Sequence, residues 1–212
     1  MSRAGGKRGF LLALCLFGTL LFSALGIWQL ERRAWKLDLI AKVNERVDAA
    51  PVPVPPASAW SMFDAEAEEY RRVRVRGTFL HDSETLVDAL TERGPGAWVL
   101  TPLRTAAGTI LINRGFVPPG RRAPASRAEG QLGGEVTVTG LLRTTEPGGG
   151  FLRANKPTEN RWYSRDVAAI AEARSLGPVA PFFIDADATA NPGGLPIGGL
   201  TVIQFRNTHL IY

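Results

Sequence analysis

A chain of 212 residues that is 45% hydrophobic and 21% charged is too apolar for an intrinsically disordered protein, and long enough for a membrane anchor plus one domain with its own core. The formal net charge of +5 and a sequence pI of about 9.9 point to anionic headgroups or an acidic partner surface before nucleic acid. A single cysteine, Cys15, excludes an intrachain disulfide, and with two histidines the chain is poorly supplied for a His/Cys zinc site.

Phe10 to Leu30 carries no Asp, Glu, Lys or Arg. A helix rising about 1.5 Å per residue crosses a bilayer core in roughly 20 such residues. A cleaved secretory signal is the alternative, with Arg3, Lys7 and Arg8 as its basic start and Ala24 and Gly26 as small residues near a cut. The length of the run, Trp28 at an interfacial position, and Arg32, Arg33 and Lys36 directly after it favour a retained anchor. Basic residues flank both sides, so charge alone does not orient it. Leu-Ala-Leu before Cys15 is a poor lipoprotein signal, and Cys15 reads as a packing residue.

Beyond the anchor, Leu37, Ile40, Ala41 and Val43 or Val47 keep helical spacing among charges. Pro51, Pro53, Pro55 and Pro56 then impose an extended linker. Asp64, Glu66, Glu68 and Glu69 read as a solvated helical turn. The periodicity then changes to two. Val73, Val75 and Phe79 alternate with Arg72, Arg74 and Arg76, as on a half-buried strand. Further strands are predicted at Thr85 to Asp88, at Trp98 to Arg104 and Thr109 to Val117 (a hairpin around Ala106-Ala107-Gly108), at Val136 to Leu142, at Phe182 to Asp185, and at Leu200 to Phe205. Asp166 to Arg174 reads as a short amphipathic helix, and Asn191 to Gly199 as a shaped loop. The fold class is α+β: one transmembrane helix followed by a mainly antiparallel β-barrel or sandwich with a short helix.

The sequence lacks GxSxG, HExxH, CxxC, GxxxxGK[ST] and GxGxxG, so no common catalytic or nucleotide-binding signature is present. Asp185-Ala186-Asp187 spells DxD, read as a strand end entering a turn rather than a metal site. Arg72, Arg74 and Arg76 share a face, but no aromatic platform or reading helix accompanies them. They read as a solvated or headgroup-facing surface, without nucleic acid as a partner. His81 follows a strand and reads as a turn residue. His209 reads as a tail residue on its own chemistry, although a neutral imidazole can bind haem iron and an arginine such as Arg206 can pair with a propionate.

Six ordered stretches resemble the Surfeit-locus (Shy-type) cytochrome c oxidase assembly proteins. They are LGIWQLERRAWK at 25–36, YRRVRVRGTF at 70–79, TILINRGFVP at 109–118, NRWYSRDVAAIA at 160–171, PFFIDADATANPGGLPIGG at 181–199 and RNTHLIY at 206–212. The resemblance implies a non-enzymatic membrane factor that helps mature the haem-copper oxidase. Its partners would be the lipid bilayer, oxidase subunit I and haem A synthase, with haem A held in transit. It places His209 as the haem iron ligand, with Arg206 as a propionate partner and no other metal site. The alternative is a docking factor that steadies oxidase subunits without binding haem. The resemblance also implies that the domain lies on the extracytoplasmic side, and a basic start with no long Arg/Ser-rich presequence favours a bacterial inner membrane.

The expected organisation is then a cytoplasmic terminus at 1–9, the anchor at 10–30, a helical extension and Pro-rich linker at 31–56, and a β-rich domain at 57–205. Residues 206–212 would start the family's second transmembrane helix. This chain stops at Tyr212, so that helix is expected to be cut away, leaving His209 exposed and haem binding weakened.

Overall fold

The computed structural model describes residues 3–150 and 153–201, with the backbone alone at 3–8, 39 and 42. The chain divides into two compact units, Met1–Glu45 and Arg46–Tyr212. The first is almost wholly helix α1, Arg3–Asp48, whose 46 residues rise about 70 Å. Between Phe10 and Leu30 the large apolar side chains are exposed around the whole circumference. A helix apolar on every side needs a membrane or a partner to cover it. Thr19 turns its hydroxyl back onto the Cys15 carbonyl at 2.9 Å, which satisfies it without water. Cys15 itself is exposed, not packed as expected, because the apolar stretch of α1 has no protein layer around it. The helical pattern read in residues 33–49 is present, and the helix stops before Pro51.

The second unit is a β-barrel with additions. Strand β1, Val52–Pro53, and helix α2, Ala65–Glu68, lead into it. Asp64 caps α2 by accepting the Glu66 and Ala67 amides at 3.0 and 3.1 Å. Then come β2 (Arg72–Phe79), β3 (Thr85–Thr91), β4 (Gly94–Thr105), β5 (Gly108–Val117) and β6 (Glu135–Thr144). A small ribbon of β7 (Gly149–Gly150) and β8 (Arg153–Ala154), helix α3 (Val167–Ala173) and strand β9 (Val179–Ala186) complete it.

Strands β2, β6, β9, β5 and β4 pair in that order, and β4 returns to β2 at Thr78↔Arg104 and Phe79↔Leu103. The sheet is therefore a closed barrel and not a sandwich. Closure brings backbones together at Gly77, where a Cβ would lie 2.3 Å from the Arg104 carbonyl oxygen, so a side chain there would hold the seam open. Most pairings are antiparallel, but β1–β2 and β5–β9 are parallel. The second is possible because α3 lies in the crossover before β9.

Two apolar layers follow from period-two alternation. Val73, Val75, Phe79, Ile110, Ile112, Val138, Leu142, Phe182 and Ile184 fill the barrel. Trp60, from the turn at Ala57–Met62, and Phe63, directly after it, pack against this core, with Phe63 and Phe182 ring centroids 5.0 Å apart. The opposite faces of β5 and β9 turn Leu111 and Phe183 outward against Trp162, Val167 and Ile170 of the α3 layer. Leu200 and Thr201 are not in a strand, contrary to expectation. They follow a Gly/Pro loop that is pinned to β5 through the Phe116 and Ile197 amides and carbonyls, both at 2.9 Å, instead of joining a ladder. The remainder of that predicted strand, with Arg206, His209 and the predicted start of a second membrane helix, lies outside the described residues.

Candidate functional site

Alternation along β9 sends Phe182 and Ile184 into the barrel and leaves Asp185 on the outer face. The backbone reading of DxD as a strand end holds. Asp187 accepts the Thr189 amide at 3.0 Å in the turn that follows. The side chain of Asp185 is another matter. It is only 3% exposed, and four segments converge on it. One carboxylate oxygen accepts from Asn113 Nδ2 of β5 at 2.7 Å and from Arg165 Nη1 at 3.2 Å. The other accepts from Arg143 Nη1 of β6 at 3.0 Å and from the Thr201 hydroxyl at 2.9 Å. Arg143 reaches on to Glu69 at 3.4 Å and lies over the Tyr70 ring. Arg165 donates from Nε to Glu146 at 3.0 Å, again from Nη2, and covers the Phe183 ring. The result is an alternating acid–base string, Glu69–Arg143–Asp185–Arg165–Glu146, beside a cavity of about 200 Å³.

Burial pushes the Glu146 carboxyl up, but the hydrogen bonds and charge of Arg165, with Arg143 further off, outweigh it and hold it below the usual carboxylate range. Burial lowers the Arg165 guanidinium, while Glu146 and Asp185 more than reverse this and leave it raised. Asp185 has both oxygens filled by donors, so it has no free lone pair with which to take a proton from a substrate. Its role is that of a clamp. It fixes β5, β6, β9, the approach to α3 and Thr201 in one register, just upstream of the stretch that carries Arg206 and His209.

The loop before Thr201 is seated by shape. At Gly115, with φ +125°, a Cβ would stand 2.1 Å from the Ile197 carbonyl oxygen. Only glycine permits that approach. Asn113 Oδ1 also accepts the Gly115 amide at 3.2 Å, so one side chain links the turn-in of β5 to the clamp.

A larger groove of about 750 Å³ runs beside β3, lined by His81, Asp82, Asp88, Arg122 and Trp162 among others. His81 sits in the predicted turn, with Nε2 2.9 Å from the Leu132 carbonyl. Beside the groove Arg127 makes a two-point contact with Glu84, at 2.9 Å through Nη1 and again through Nη2, and both side chains are buried. On β2, Arg74 and Arg76 are exposed on the solvent face, as the alternation required.

The groove mixes carboxylates and guanidiniums with an apolar side of Leu86, Pro124, Ala125, Ala128 and Trp162, and His81, the histidine among the described residues, has Nε2 bound to a carbonyl while Nδ1 is buried without a partner. Among the described residues no group of three or more His, Cys, Asp or Glu side chains is placed to hold a metal ion. His209 and Arg206 lie outside those residues.

The sequence profile of the SURF1 family matches residues 16–212. The chain belongs to the SURF1 family. Surfeit locus protein 1 of mouse is 40% identical over 205 residues, covering 89% of this chain and 65% of the mouse protein. Surfeit locus protein 1 of Homo sapiens is 41% identical over 206 residues, covering 89% and 66%. A SURF1-like protein of Monosiga brevicollis is 41% identical over 202 residues, covering 89% and 75%. The chain thus spans just under two thirds of the length of its mouse and human relatives.

Three of the stretches that resemble the SURF1 family each deliver one clamp residue: Asn113 from INRGF, Arg165 from WYSRD, and Asp185 from FFIDAD. Sequence reading missed the convergence. The available signal was a charge or amide at a position where strand alternation runs through otherwise apolar neighbours, as with Asp185 after Phe182-Phe183-Ile184 and Arg143 after Leu141-Leu142.

Proposed function

We propose that this chain is a non-catalytic, membrane-anchored assembly factor for a haem-copper cytochrome c oxidase. Membership of the SURF1 family over residues 16–212 carries the reading, together with an α1 that is apolar on all sides and long enough to cross a bilayer. α1 serves as the anchor in a bacterial inner membrane, and the barrel works on the extracytoplasmic side. The factor receives haem A from its synthase and passes it to oxidase subunit I, with His209 as the iron ligand and Arg206 facing a propionate. Haem supplies its own iron chemistry. The protein contributes a scaffold whose clamp at Asp185 holds the chain at Thr201.

The test uses the full-length protein co-expressed with haem A synthase and purified in detergent. A haem A spectrum is expected, and His209→Ala is expected to remove or shift it. An unchanged spectrum in that variant overturns the ligand assignment.

A second reading is favoured by the wide groove beside β3, which presents Asp82, Asp88, Arg122 and Arg161 around an apolar strip: a docking factor that binds oxidase subunits and no haem. Under that reading the purified protein is colourless despite abundant haem A, yet subunit I still co-purifies with it.

A further inference from the structure

Arg114 follows Asn113 on β5, so alternation turns it to the barrel side, where Ile110 and Ile112 also point. It is 2% exposed. Its Nη2 donates to the Gly130 carbonyl and, at 3.3 Å, to Asn191 Oδ1, while Nε and Nη1 are buried without an acceptor. The guanidinium lies 4.8 Å from the centroid of the Phe79 ring. Burial pulls its pKa down to about 10, against a raising effect from Glu84 and a lowering one from Arg127, so it is a cation at neutral pH. Glu84 is already bound to Arg127 by two hydrogen bonds. A buried cation with unused donors is unfavourable until something supplies acceptors.

A cavity of about 130 Å³ opens at Arg114. Pockets for drug-sized ligands run from about 300 Å³ upward, so this one takes a group of a few heavy atoms. Ile112, Val136, Val138 and Ala186 give it apolar walls. Asp187 supplies a polar side, with one oxygen committed to the Thr189 amide. We propose that this cavity binds a small monocarboxylate with a short aliphatic arm, the carboxylate accepting from Arg114 and the arm lying along the apolar wall. A single negative charge matches the single guanidinium. Phosphate brings more oxygens than the wall can satisfy, and Asp187 opposes a second negative charge. The site uses described barrel residues only and does not depend on the oxidase reading.

The test follows the Arg114 Nε–H resonance of the full-length protein in detergent micelles by nitrogen-15 NMR, assigned with Arg114→Met. Sodium butyrate is the probe, butyramide its neutral isostere and inorganic phosphate the anion control. Butyrate is expected to move the resonance saturably, with butyramide and phosphate weaker by about 10- to 100-fold, the value of a hydrogen bond to a charged group. Calorimetry on Arg114→Met is expected to lose the saturable butyrate heat while the protein still unfolds cooperatively. Should that variant not fold, the wild-type titration decides alone. A wild-type resonance that ignores butyrate means a water-filled cavity and overturns the proposal, and so does an equal response to butyramide or phosphate.

Discussion

Asn113 and Arg114 are neighbours on β5, and they serve two buried charges handled in opposite ways. On the outer face of the strand, Asn113 joins a string in which Asp185 meets two arginines and a hydroxyl. On the inner face, Arg114 meets one backbone carbonyl, one amide oxygen and a ring, with two nitrogens left over. A saturated ionic string fixes register but is costly to interrupt. An under-partnered cation contributes little to the fold, and is the more available to something from outside.

The strongest test of that contrast is Asp185→Ala. It removes the central carboxylate of the string, leaving Arg143 with Glu69 alone and Arg165 with Glu146 alone and Asn113 without its acceptor in a mostly buried setting, and chemical denaturation should show a loss of about 3 kcal/mol. A loss no larger than a surface substitution gives would mean that the string is ornamental. Gly115→Ala comes next. The added Cβ meets the Ile197 carbonyl, and the left-handed backbone adds strain, for an expected loss of about 1–3 kcal/mol and faster proteolysis in the 191–199 loop.

Acid titration probes the end of the string. Glu146 has a folded pKa below its unfolded one, so its contribution is complete above the unfolded carboxylate range. It fades as pH falls through the depressed value. Glu146→Gln should therefore flatten the acid limb of a stability–pH curve and leave its neutral-to-alkaline part parallel to wild type. Arg114→Met should do much less than Asp185→Ala. Relief of a buried cation and loss of the Gly130 contact offset each other to within about 1 kcal/mol, read from the same denaturation curves. Arg74→Gln with Arg76→Gln, on the exposed face of β2, should stay within about 0.5 kcal/mol.

Much of the scaffold was legible because its signals are local. Alternation placed β2 with its arginines outward, the apolar run placed the exposed part of α1, and Asp166 marked the start of α3, where it accepts the Ala169 amide at 3.1 Å. What escaped was long-range pairing. Barrel closure depends on Thr78 meeting Arg104, and the parallel β5–β9 pairing on a crossover through α3, neither of which leaves a periodic trace. The clamp was hidden for the same reason. Asn113, Arg143, Arg165 and Asp185 are scattered along the chain, in mid-strand, near strand ends and before a helix, and each alone resembles an ordinary polar residue. Arg114 was the hardest to read: alternation puts it on the face of Ile110 and Ile112, but Leu111 makes the other face of β5 apolar too, so the sequence does not say which face is the barrel interior.

The late arrival of β9 sets an order of events during synthesis. It slots between β5 and β6, both of which emerge earlier, so each of those strands shows a bare row of amides and carbonyls until Ala186 has been made. An unfinished ring is a ready template for pairing with another nascent copy. Delaying the emergence of Val179–Ala186 from the ribosome, once β5 and β6 are out, would lengthen that vulnerable interval.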